Sequence, residues 1–171
     1  DKRGRIYLSP NKEQLALSIV EKQEDVPDQE LPYDPRNVWT PQYGLKKFYD
    51  LFTNRQLVAL AALSDLVSEA RDKVLEDAKA AGLSLGERLE DGGIGAEAYA
   101  DAVATYLALG VSRTADYCNA LCTWNNARDT VAHLFIRQAI PMAWDYIESN
   151  IFSESSGNFF GQLKWIIKAL Q

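Results

Sequence analysis

Thr53 is where this chain commits to helix. Gln56 follows three residues later, the pairing that satisfies two otherwise orphaned backbone donors at a helix start. Leu57, Leu60, Ala61, Leu63, Val67, Ala70, Val74 and Ala78 then recur at helical spacing. The pattern predicts an amphipathic helix over 54–81, with Asp65, Glu69, Asp72, Lys73 and Glu76 on the opposite face. Glu69 and Lys73 are placed for a weak ion pair, and Gly82 supplies the stop.

Upstream the constraint is reversed. Five of the six prolines (Pro10, Pro27, Pro32, Pro35 and Pro41) precede that helix, and each removes a backbone donor and disfavours helix at the residue before it. Residues 1–52 therefore read as an extended, Pro-rich connecting region, and 53–171 as a helical domain. Within the first part, Arg5-Ile-Tyr-Leu8 suggests one short strand, and Pro10 through Val20 suggests a helix beginning behind Ser9.

Downstream, Gly86, Gly92, Gly93 and Gly95 interrupt any period over 83–95, which reads as a mobile loop with at most a helical turn. No strand precedes it, as a dinucleotide-binding loop requires. Residues 96–122 carry few charges, so a helix apolar on most sides, central and buried, is expected. Arg113 and Asp116, three apart in it, read as a buried or half-buried ion pair. A further helix capped by Asn126 or Asp129 is expected through Val131, Leu134, Phe135 and Gln138, ending or kinking at Pro141. Ser153 to Asn158 is a polar loop, and Phe159, Leu163, Ile166 and Leu170 mark a last helix. The fold class is mainly α, a helical bundle-like segment.

Composition, 47% hydrophobic and 25% charged, is enough for one domain with a core. The net charge of −6 opposes nonspecific attraction to phosphates, so any DNA-facing surface must be local. No apolar run approaches the ~18 residues that span a bilayer, and nothing resembles a signal peptide, which points to the cytoplasm and away from membranes. Met142 is the only methionine and the chain opens at Asp1, so a piece of a longer polypeptide is expected. Cys118, Cys122 and His133 are too few for a closed zinc site. They read as two buried reduced thiols and a structural histidine.

Several residue groups suit nucleic acid. Ser155, Ser156 and Asn158 before a helix can present backbone amides to a phosphate, though the same residues are ordinary caps. Trp124 and Asn125, and likewise Tyr43 beside Gly44, place an aromatic face near backbone or amide donors, a combination that stacks on an unpaired base or simply packs a core. Arg55 with Gln56, and Arg137 with Gln138, match guanine and adenine edges, or a solvated helix surface.

Six segments carry a resemblance: Gly4–Leu8, Trp39–Leu45, Leu51-Phe-Thr-Asn-Arg-Gln-Leu57, Tyr99–Leu107, Leu121-Cys-Thr-Trp124 and Arg137–Asn158. In this order they resemble the Zn-ribbon-containing adenine-specific DNA methylases, with Ile151 departing from an expected proline. The resemblance implies a Rossmann-like parent that binds S-adenosylmethionine at a Gly-rich turn, holds zinc in a ribbon upstream and grips a flipped adenine with Asp-Pro-Pro-Tyr. This chain has none of those motifs; Tyr33-Asp-Pro35 is not one. It corresponds to the stretch between the two halves, so no catalytic, cofactor-binding or metal-binding residue is carried over. The implied partners are the remainder of the enzyme and, through it, DNA, and phage defence is one setting. A non-enzymatic helical interaction module is the alternative; a self-sufficient hydrolase would need a constellation that is missing.

Overall fold

The computed structural model describes residues 6, 8–35, 39–136 and 139–171. It is mainly helical: α1 (Lys12–Leu17), α2 (Trp39–Gln42), α3 (Asn54–Ala80), α4 (Ala96–Tyr117) and α5 (Phe159–Ala169), with one antiparallel hairpin of β1 (Thr123–Asn125) and β2 (Thr130–Ala132). Arg5 and Tyr7 of the expected strand lie outside the described residues. The first helix starts later than Pro10 because Asn11 is its cap. Asn11 and Gln14 exchange side-chain and backbone bonds of 2.8 and 2.9 Å, a second capping box.

The long helix matches its sequence pattern. Thr53 caps α3, with Gln56 reaching back to the Thr53 N–H at 2.8 Å, and Gly82 follows at a φ of +91°. On its outer face Lys73 meets Asp77 at 3.7 Å rather than Glu69.

α3 and α4 form a helical hairpin, and residues 83–95 join them through a hydrogen-bonded connection that contains the expected helical turn, a 3₁₀ turn at Leu89–Asp91. Ala96 and Glu97 donate backbone bonds to Ser84 and Leu85, at 2.8 and 3.0 Å. A Cβ on Gly86 would sit 1.9 Å from the Ile94 carbonyl oxygen, and its φ is +68°, so glycine is needed there twice over. An ionic staple backs the closure. Arg71 binds Glu97 at 2.5 Å and Asp101 at 2.7 Å, while Asp101 also accepts from Arg88 at 2.5 Å and from the Leu89 N–H at 3.1 Å. The Arg88 guanidinium, with Leu89 and Arg71 behind it, outweighs burial and holds the Asp101 carboxyl far below the usual carboxylate range.

α4 departs from expectation in three ways. It ends at Tyr117, because the buried Asn119 amide donates to the Ala115 and Asp116 carbonyls at 3.0 Å each and its oxygen takes the Leu121 N–H. It is not buried on most sides, since Tyr99, Tyr106 and Leu109 are 55%, 40% and 51% exposed. The Arg113–Asp116 pair does not form. Arg113 is exposed, and Asp116 turns instead to His133, 2.8 Å from its Nδ1, and to the Phe135 N–H at 2.7 Å.

The helix expected through Val131 and Leu134 is the hairpin. Thr123, Trp124, Thr130 and Val131 are β-branched or aromatic and suit a pleated surface. Asn125 turns the chain by accepting from Ala127 and Arg128 at 3.1 Å, and Asp129 takes a φ of +53°. Residues 141–150 have no regular secondary structure, whereas Asn158 caps α5 by accepting from Gly161 at 2.7 Å.

Two cores organise these parts. Leu51, Leu121, Leu134 and Ile140 form the first, covered by Leu31, Leu45, Phe48, Phe52 and Met142. Residues on both sides of position 52 therefore share one interior. Leu63, Cys118 and Ile151 form the second, with Ala59, Val111 and Phe159 against them. α5 approaches α4 at Gly110, where a Cβ would lie 2.5 Å from Leu163 Cδ2.

Candidate functional site

The start of α3 faces the 148–152 segment across a cleft of about 760 Å³. Arg55 bridges it. Its Nε donates to Glu148 Oε1 at 3.2 Å, its Nη2 to Glu148 Oε2, and its Nη1 to the Ser18 carbonyl at 3.1 Å. Tyr146 completes the group by donating its hydroxyl to Glu148 Oε2 at 2.7 Å. Burial alone would push the Glu148 carboxyl up, but the bonds from Arg55 and Tyr146 prevail and hold it below its ordinary value. Burial, and then Glu148, push the Tyr146 hydroxyl up to about 12. The result is a neutral, mutually satisfied trio with no charge to spare for an anion.

The other polar groups of the cleft are carboxamides, and their orientation is settled by the backbone. Gln56 Oε1 accepts from the Thr53 N–H, Gln14 Oε1 from the Asn11 N–H at 2.9 Å, and Asn150 Oδ1 from the Phe152 N–H at 2.9 Å. Rotating any amide by half a turn would set two donors against each other. The nitrogen ends thus point away from these backbone donors, and each oxygen keeps a second lone pair. Gln56 is 1% exposed and its Nε2 has no hydrogen-bond partner among the described residues. Leu8, Pro10, Ile151 and Phe152 supply apolar wall, and Cys118 also lines the cleft.

Of the sequence-derived nucleic-acid candidates, Arg55 and Gln56 lie in this cleft, but not as a solvated helix surface: the arginine is committed to Glu148 and the glutamine is buried. Ser155, Ser156 and Asn158 act within the loop and cap of α5. Asn158 accepts the Gly161 N–H, Ser156 accepts the Val131 N–H at 3.1 Å, and Ser155 meets Ser153 at 2.6 Å. Trp124 and Asn125 sit on the hairpin, where Trp124 pairs across from Val131 and Asn125 makes the turn. Arg137 and Gln138 lie outside the described residues. Tyr43 stands edge-on to Trp144, ring centres 4.6 Å apart. Sequence reasoning missed Gln14, Tyr146, Glu148 and Asn150. Only Gln14 carried a local signal, the Asn11-x-x-Gln14 capping pattern.

His133 is a tie between elements. Its ring lies 5.2 Å from that of Tyr117, and its Asp116 partner also takes the Phe135 N–H. Among the described residues no cluster of His, Cys, Asp or Glu is placed to hold a metal, and no helix is long and apolar enough to cross a membrane. Burial pushes the Cys118 thiol up to about 12 and the Cys122 thiol up to about 11. Since the thiolate is the reactive form, neither cysteine should label with a disulfide reagent at neutral pH until the protein is denatured. Rapid labelling of the native chain would contradict their placement.

The chain matches no protein-family model, no curated protein and no solved structure.

Proposed function

We propose that the chain is an internal helical segment of an S-adenosylmethionine-dependent, adenine-specific DNA methyltransferase with a Rossmann-like catalytic body. In this reading it joins the donor-binding half to the half that grips the target adenine and shapes the DNA cleft between them. It performs no transfer alone. Zinc and the methyl donor belong to the remainder of the polypeptide, which is its principal partner, and the enzyme works in the cytoplasm, with phage defence as one setting.

The observation that supports this reading is a convergence in space. The segments that resemble the family are far apart in sequence, yet four of them build one interior. Thr40 donates to the Ile140 carbonyl at 2.8 Å, Ala120 to the Leu51 carbonyl at 2.8 Å, Leu51 packs on Leu121 and Ile140, and Arg55 clasps Glu148. Residues that carry the resemblance and also meet in one core fold as one unit, as a segment of a single enzyme would. Calorimetric titration of S-adenosylmethionine into the chain should show no saturable heat, because the Gly-rich donor turn is not in it; a saturable signal would overturn the assignment of donor binding to the rest of the enzyme.

A second reading, a helical interaction module with no enzymatic parent, is favoured by α5. Phe160, Trp165 and Ile167 are 65%, 60% and 55% exposed, a surface that a partner would cover. The coding frame separates the two: a Gly-rich donor loop upstream and Asp-Pro-Pro-Tyr downstream belong only to the methyltransferase.

A further inference from the structure

We infer that the outward face of α5 is a track for single-stranded DNA, with Lys164 and Lys168 on the phosphates and Trp165 and Phe160 as platforms for unpaired bases. The inference rests on the DNA-facing reading above and names the surface and the form of DNA it takes. α5 is held against α4 by its other face: Phe159 packs on the second core, Gln162 is buried, and Leu163 lies against Gly110. Phe160, Lys164, Trp165, Ile167 and Lys168 all remain exposed. The chain has a net charge of −6, yet no acidic residue lies between Ser155 and Gln171, the nearest before them being Glu154. Arg113 adds a further cation, exposed on the stripe of α4 that carries Gly110 and Tyr117, the residues that lie against Leu163 and Gly157. Arg55, Arg71 and Arg88 are committed to carboxylates, whereas Arg113, Lys164 and Lys168 enter no ion pair among the described residues.

The order of side chains around the helix selects the occupant. At the α-helical pitch, Lys164 and Lys168 fall between Phe160 and Ile167 on one side and Trp165 on the other. A bilayer surface takes a helix whose apolar side chains are grouped and whose lysines lie on the opposite face. A protein interface keeps charged side chains, lysine among them, out of its centre. On α5 the ammonium groups run down the middle and the rings flank them. A single nucleic-acid strand has the matching layout, a line of phosphates from which bases splay to stack on aromatic rings. Lys168 Nζ lies 5.5 Å from the centre of the Trp165 ring, so one nucleotide meets both, its base on the ring and its phosphate on the ammonium. A duplex offers the phosphates but keeps its base faces stacked on one another, and the rings gain nothing from it.

The test uses the 171-residue chain and a short fluorescein-labelled oligothymidylate, read by anisotropy from low salt upward. The single strand should bind with a logarithmic salt slope of about −2, as neutralisation of phosphates by Arg113, Lys164 and Lys168 implies, and Lys164→Gln combined with Lys168→Gln should cut the slope to about −0.7. Trp165→Ala should weaken binding about fivefold or more, and Trp165→Phe should restore most of it, because stacking needs a ring and not the indole N–H. An abasic strand of equal length should bind more weakly by a similar factor and be indifferent to Trp165→Ala. All three side chains are exposed, so the variants should melt as the parent chain does. No binding of the strand, binding that survives the lysine and Trp165 substitutions, or adsorption to phosphatidylserine vesicles with no affinity for the strand would overturn the proposal. Methyl transfer by the complete polypeptide reads the underlying assignment separately. Strand binding through α5 without transfer would sink the methyltransferase reading alone, and transfer without such binding would sink the α5 surface alone.

Discussion

Replacing Leu51 by alanine is expected to lower stability by about 3–5 kcal/mol, near the upper end for buried leucines. Leu51 is 0% exposed and ends a 3₁₀ turn, and its carbonyl is bound by the Ala120 N–H. The hole left by the missing methyl groups would be walled by Leu121, Leu134 and Ile140, which come from separate stretches of chain. Each wall is tied elsewhere: Leu134 donates its N–H to the Asp116 carbonyl at 3.0 Å, and Ile140 accepts from Thr40. A cavity whose walls are pinned collapses poorly, so the cost stays high. Urea unfolding should show a lower midpoint with an unchanged slope. A loss under about 1 kcal/mol, the size of an ordinary substitution, would mean that these segments do not share an interior.

Gly86→Ala should act differently, costing about 1–3 kcal/mol in backbone strain and damaging one end of the molecule. The new Cβ would collide with the Ile94 carbonyl 1.9 Å away, a backbone atom that cannot swing aside. The closure of 83–95 must then open. Hydrogen exchange should report lost protection at Ala96 and Glu97, whose amides are satisfied across that closure by Ser84 and Leu85. The Leu51 core should be nearly unaffected, because it draws no residue from the 83–95 closure. Retained protection at both amides would contradict the tight closure.

How much of this was readable beforehand depended on the range of the interactions involved. α3 and α5 were legible because their caps, Thr53 with Gln56 and Asn158 with Gly161, act over three residues and their apolar positions follow a local period. The Asn11–Gln14 box carried the same signature, obscured by Pro10 as an apparent first helical residue. The hairpin was not legible. Strands of three residues leave too short a pattern to distinguish from helix, and what holds this one is partly the distant Asp116, which receives His133 and Phe135. Arg113 and Asp116 had the right spacing to pair, but a histidine and a backbone donor from another element took the carboxylate first. The cleft was half legible: Arg55 and Gln56 stand out locally and the amides are oriented by backbone groups two or three residues away, whereas Glu148, the partner of Arg55 93 residues on, is brought in by tertiary packing.

The most direct test of the account is methyl transfer from isotope-labelled S-adenosylmethionine to DNA, followed by mass spectrometry of the nucleosides, with the chain alone and the complete polypeptide containing it assayed side by side. The account predicts N6-methyladenine from the complete polypeptide and none from the chain alone. Methylated adenine made by the chain by itself, or none made by the complete polypeptide, would contradict it.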